Sequence, residues 1–188
     1  MRGGAPSFYG PFRMYRHHFE SRADVAASPD AVFAYLDDQE RLSAHMMSSS
    51  AMMAGTTIRF EFDEHRGRAL GSTIRLSGRV LGFTLEAAET IIEREPPRRK
   101  LWQTVGEPRL LVIGGYRMGF EIRPEGSGSR LLVFIDYDEP SGGWRFARKL
   151  LGGRYAQWCT RSIARGTAKH FESRRLRPRP RLDSTLRS

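Results

Sequence analysis

Cysteine is almost absent from this sequence. Only Cys159 carries a thiol among 188 residues, which excludes an internal disulfide and a cysteine-based zinc site. A reducing cytoplasm is therefore the expected home. Long apolar runs are missing too: no stretch approaches the roughly 18 apolar residues of a membrane span. The first 15 residues lack the continuous apolar segment of a secretory signal. Catalytic signatures are equally scarce. No nucleotide-binding glycine motif, His-Glu-x-x-His or nucleophile elbow occurs, so neither a cofactor nor a metal is expected.

Acidic residues are outnumbered, 21 against 31 basic ones, for a net charge of +10. Half of that excess sits in residues 173–188, where Arg174, Arg175, Arg177, Arg179, Arg181 and Arg187 face the single acid Asp183. Pro178 and Pro180 keep such a segment extended and solvated. It reads as a solubilising tail, or as a contact for anionic lipid or nucleic acid. The body is only modestly basic, which argues against a dedicated nucleic-acid domain. Its length and its 39% hydrophobic content fit one globular domain with a real core. Residues 1–13, rich in glycine and proline, read as an irregular lead-in, 14–172 as the domain and 173–188 as the tail.

The domain alternates its patterns in a definite order. Tyr15 to Val25 reads as a strand with Tyr15, His17, Phe19, Ala23 and Val25 on one face. Ser28-Pro29-Asp30 then opens a helix with a capping hydroxyl, a proline at the first position and an acid at the positive end. Asp37-Asp38 interrupts it, and a second short helix spans about Gln39 to Met46. Residues 46–55, with four methionines, read as a mobile loop or a pliable gate.

Six strands follow. Ile58, Phe60 and Phe62 alternate with polar residues, as do Ile74 and Leu76. Phe83 to Glu93 is a strand whose facing is ambiguous, because Ala87-Ala88 and Ile91-Ile92 blur the parity. Lys100 to Val105 is short. Leu110, Val112, Tyr116, Met118, Phe120 and Ile122 share one parity, predicting a long strand bent at Gly114-Gly115. Leu131, Val133, Ile135 and Tyr137 face one way on the last.

A long helix from Trp144 to Phe171 closes the chain. Ala147, Leu151, Tyr155, Trp158, Ser162 and Gly166 form its stripe, widened by Leu150, Cys159 and Ile163. Gly152-Gly153 marks either a break or room left beneath the helix. The whole is an α+β domain, a sheet of about seven strands curled around one helix.

Some phrases in the chain resemble a known family. Ala27-Ser28-Pro29-Asp30-Ala31-Val32-Phe33-Ala34-Tyr35-Leu36-Asp37-Asp38, followed by His45-Met46, looks like the first strand-to-helix junction of the START-like, or SRPBCC, superfamily. Glu95-Pro96-Pro97-Arg98 with Leu101-Trp102, Tyr116-Arg117-Met118-Gly119-Phe120, and Asp136-Tyr137 before Pro140 look like its later strands. That superfamily includes birch-pollen-allergen-like proteins and aromatic polyketide cyclases. The resemblance implies a helix-grip fold and an apolar or aromatic ligand held between sheet and long helix. The alternative it allows is a polyketide cyclase or dehydratase.

The lining expected from parity is Phe60, Phe62, Ile74, Leu76, Tyr116, Met118, Phe120, Val133, Ile135 and Tyr137 from the sheet, with Leu151, Tyr155 and Trp158 from the helix. The competing expectation is that these residues simply fill the core. No catalytic residue is carried over from the family. His45, at a helix end beside the expected cavity mouth, is the one candidate acid or base. His17 and His18 point to opposite faces, Arg117 points outward, and His65 and His170 read as solvated. Cys159 reads as an inert buried thiol.

Overall fold

The computed structural model describes residues 14–42, 57–80, 82–140 and 145–175. Strand β1, His17–Val25, alternates half-buried and exposed residues along its length, the signature of one face packed and one solvated. The Ser28 side chain accepts from the Ala31 amide at 3.4 Å, and helix α1, Pro29–Leu36, follows with proline in its first turn. Val32, Phe33, Tyr35 and Leu36 bury its inner side. Helical backbone resumes over 39–42. Residues 1–13, the methionine-rich segment, His45 and residues 176–188 lie outside the described residues.

The remaining strands are β2 (Thr57–Phe62), β3 (Thr73–Val80), β4 (Phe83–Glu95), β5 (Arg99–Arg109), β6 (Tyr116–Glu125) and β7 (Gly128–Tyr137). They form one sheet in the order β1-β7-β6-β5-β4-β3-β2, every described pairing antiparallel. A meander from β2 to β7 thus acquires β1 at its far edge. Helix α2, Arg145–Arg175, lies across β1 and β7, and α1 packs on β6 and β7. No described helix is long and apolar enough to cross a membrane.

Three expectations are corrected here. Residues 110–115 do not continue β6 backward. β5 runs on to Arg109, and the chain then loops so that the Gly114 amide donates to the Asp138 carbonyl at 2.7 Å and the Asp138 amide to the Gly115 carbonyl at 2.9 Å. A Cβ on Gly114 would stand 2.6 Å from the Glu139 carbonyl oxygen, so glycine is what permits this close crossing. Leu110 and Val112 therefore reach the core from a loop.

The second correction concerns the face of α2. Its buried residues are Gly152, Ala156, Cys159, Thr160, Ile163, Ala164 and Thr167, a stripe offset by about one residue from the expected one. Leu151 is 50% exposed, and the side chains of Ala147 and Leu150 lie outside the described set. The cause is size. Small residues let the helix backbone approach the sheet, where the hydroxyls of Thr160 and Ser21 meet at 2.9 Å. A Cβ on Gly152 would lie 2.8 Å from the Val112 carbonyl oxygen, and one on Gly153 would lie 3.5 Å from the Phe19 ring. The helix is unbroken there; protein occupies the space beneath it.

Next to α1, Asp37 ties helix to sheet. Lys100, fully buried, donates from Nζ to Asp37 Oδ1 at 2.8 Å and to its carbonyl at 3.2 Å. Arg94 adds a two-pronged contact at 3.1 and 2.8 Å. Burial acts to raise the Asp37 pKa, but these hydrogen bonds outweigh it and hold the carboxyl below its usual value. Burial meanwhile pushes the Lys100 ammonium down. His170 is not solvated as expected: its ring stacks on Tyr35 with centroids 4.2 Å apart.

Candidate functional site

The inner face of the sheet carries a polar row among apolar neighbours. Glu89 on β4 is registered against Ile74 on β3 and Thr104 on β5. Thr104 lies beside Tyr116: its hydroxyl accepts from the Tyr116 amide at 3.0 Å and donates to the Tyr116 carbonyl at 3.3 Å. Tyr116 pairs with Tyr137 on β7, which pairs with His17 on β1. Side chains directly across a ladder share a face, so Glu89, Thr104, Tyr116, Tyr137 and His17 form one line across five strands. The Tyr116 hydroxyl donates to Glu89 Oε1. His17 stacks on Tyr137 at 5.0 Å, and its Nε2 lies 3.4 Å from Glu139 Oε1.

Helix α2 closes over this row. The stripe of small residues brings Tyr155 and Trp158, 5.9 Å apart, to its margin. Burial pushes the Glu89 carboxyl from the ordinary 4.5 up to about 7, with the Tyr116 hydrogen bond resisting. Burial, then the Glu89 charge, sends the Tyr116 phenol well above its usual value. Tyr155 is raised by the neighbouring Cys159 and by burial. The Cys159 thiol is pushed up to about 12 by burial, so it stays protonated and unreactive. The cluster of Glu89, Tyr116, Tyr155 and Cys159 therefore has one group that ionises near neutrality.

The thirteen residues expected to line a cavity divide by position. Ile74, Met118, Phe120, Val133, Ile135 and Tyr137 are buried and packed into the central cluster with Trp102, Ile91 and Leu36. Phe60, Phe62, Leu76, Tyr116, Tyr155 and Trp158 stay half-buried. Phe60 and Phe62 lie 6.4 Å apart on β2. Leu151 stands outside both groups. Arg117 points to the outer face, where it grips Asp136 at 2.7 Å beside His18.

Glu89 and Thr104 were not on that roster. Leu85, Ala87 and Ile91 are buried at the same parity as Glu89, so a carboxylate in an apolar slot was a visible signal. Ala87-Ala88 and Ile91-Ile92 blurred that parity, and the structure has register shifts at the same places, between Glu86 and Ala88 and between Ile91 and Glu93.

Seven antiparallel strands curled about a long C-terminal helix, with short helices after the first strand, make this a helix-grip fold of the START-like class. The chain belongs to the family described as polyketide cyclase / dehydrase and lipid transport, which it matches over residues 16–165. No curated protein matches the sequence. Among solved structures, protein TTHA0849 from Thermus thermophilus superposes with a TM-score of 0.62 at 14% identity, covering 84% of this chain and 99% of that one. The di-domain ARO/CYC StfQ from the steffimycin biosynthetic pathway gives 0.61 at 15%, covering 84% of this chain and 51% of its own. Ara h 8.0201 gives 0.54 at 12%, covering 81% and 98%. At such identities the likeness concerns the fold alone.

Proposed function

We propose that the protein binds a small hydrophobic or aromatic molecule, lipid- or polyketide-like, between the inner face of the sheet and α2. One observation carries this reading. Glu89 and Tyr116, hydrogen-bonded on the inner face of the sheet, and Tyr155 of α2 all stay half-buried where a filled core would bury them. Such surface between sheet and helix is what a bound molecule would cover. Half-buried Phe60, Phe62, Leu76 and Trp158 give the proposed cavity an apolar wall, and the polar row gives it a few orienting groups, the usual composition of a small-molecule site. The family description and the ARO/CYC neighbour are in keeping with it.

The neutral fluorophore N-phenyl-1-naphthylamine tests the proposal. It should bind saturably at one site per chain. Leu76→Trp, which adds bulk on the apolar wall, should abolish binding while the thermal melt remains cooperative. Undiminished binding by that folded variant would remove the cavity assignment. A second reading, cyclisation or dehydration in the same place, is favoured by Glu89 itself, a carboxyl poised near neutral pH and bonded to a phenol.

A further inference from the structure

Two interior carboxyls in this domain are treated in opposite ways. Asp37 is met by Lys100 and Arg94, each within 2.8 Å. Glu89 is met by a phenol on one oxygen, and among the described residues no cation reaches either oxygen. Basic side chains are abundant in this chain, and acids elsewhere on the sheet find them: Glu121 takes Arg99 at 2.7 Å and Asp136 takes Arg117 at 2.7 Å. An enclosed carboxylate without a countercharge is costly. Its position is fixed on one side by Tyr116, which Thr104 holds in turn, while Oε2 is left with no described partner.

The groups facing it can be named element by element. Tyr116 comes from β6, and Tyr155 and Cys159 come from α2; all three remain neutral at physiological pH. The neighbours in register on β3 and β5, Ile74 and Thr104, do not titrate. The site's described charge is thus zero or −1, never positive. Half-buried aromatic rings lie on the elements around it: Phe62 continues the register line through Ile74 onto β2 beside Phe60, and Trp158 lies 5.9 Å from Tyr155 on α2. The faces of such rings attract cations. A lone carboxylate with aromatic walls recognises a positive charge carried on an apolar body.

We propose that the cavity takes a cationic ligand, a protonated amine on a flat apolar or aromatic skeleton, with the ammonium donating to Glu89 Oε2. The inference rests on the binding reading above and narrows its ligand class. It also explains why, among the described residues, no cation meets Glu89: the ligand is the countercharge. Uptake is coupled to Glu89 losing its proton, so affinity for the ammonium form rises with pH until the carboxyl is fully ionised.

Three matched naphthalenes test this by calorimetric titration at pH 5.5 and 8: 2-naphthylmethylamine, 2-naphthalenemethanol and 2-naphthoate. At pH 8 the amine should bind at least about tenfold tighter than the alcohol, and the carboxylate weakest. For the amine, affinity should fall about tenfold per pH unit below about 7, while the alcohol's stays nearly flat. In Glu89→Gln, checked by its melt, the amine should lose its advantage and its pH dependence. The wild-type pH series needs no variant, so the test stands if the substitution fails to fold. An alcohol or carboxylate that binds as tightly as the amine at pH 8 would overturn the cationic ligand and leave the cavity intact. Retention of the amine preference in Glu89→Gln would overturn it too. Should none of the three bind, the cavity reading falls and takes this one with it.

Discussion

Replacing Glu89 by glutamine should stabilise the protein, but only where the carboxylate is ionised. The unfolded chain titrates this group near 4.5 and the folded chain near 7. Below 4.5 both states are protonated and the group contributes nothing to the pH dependence. Between 4.5 and 7 the unfolded state gives up the proton and the folded state retains it, so wild-type stability falls with rising pH. Above 7 the whole penalty is present, about 3 kcal/mol at roughly 1.4 kcal/mol per pKa unit. Glutamine has nearly the same shape, and its amide oxygen still accepts from the Tyr116 hydroxyl. Glu89→Gln should therefore melt close to wild type at pH 5 and up to about 6–12 °C higher at pH 8, given about 2–4 °C per kcal/mol at this chain length. Other titrating groups cancel in the difference. Parallel melting curves across this range, or a variant less stable at pH 8, would refute the claim that Glu89 is an enclosed carboxylate without a countercharge.

Removing Asp37 should do the reverse. Asp37→Ala strands Lys100 in the core and should cost about 3–5 kcal/mol, read as a lower melting temperature at pH 7. Because the Asp37 carboxyl is held below its usual value, the stability it contributes is present above the ordinary aspartate range and lost as pH falls through its depressed value; a variant as stable as wild type at pH 7 would count against the tie. Gly152→Ala should lower the melting temperature through a loss of about 1–3 kcal/mol, since the new methyl meets the Val112 carbonyl at 2.8 Å. A stabilising effect, as expected for alanine in an ordinary helix interior, would show that the helix does not press on the loop there.

The fold was legible because its signals are local. The Ser28-Pro29-Asp30 start of α1, the alternation in β2 and β3, and the apolar parity of Tyr116, Met118, Phe120 and Ile122 each follow from backbone periodicity alone. The site was legible only in outline. The parity that brought Phe62 and Tyr116 to the inner face also brought Met118 and Ile135, and periodicity cannot distinguish a packed wall from a reachable one. The stripe expected on α2 failed at Leu151 because the buried line runs one residue further on, through Gly152 and Ala156. In this helix the small residues make the contact, and Tyr155 and Trp158 flank it. Glu89 was obscured because Ala87-Ala88 and Ile91-Ile92 blur the parity of β4, and the register shifts against β5 fall at those same places.

The close approach at Gly152 and Gly153 makes the grip lopsided. At this turn of α2 the neighbours are the Val112 carbonyl and the Phe19 and Tyr137 rings, and neither glycine has a side chain left to shorten. On β2 and β3, Phe60, Phe62 and Leu76 remain half-buried, each replaceable by something shorter or longer. The fold thus has one fixed jaw and one adjustable jaw. On the proposed binding reading, divergence toward larger or smaller ligands, in nature or by selection in the laboratory, should accumulate on β2 and β3 while the glycine-bearing turn of α2 stays as it is.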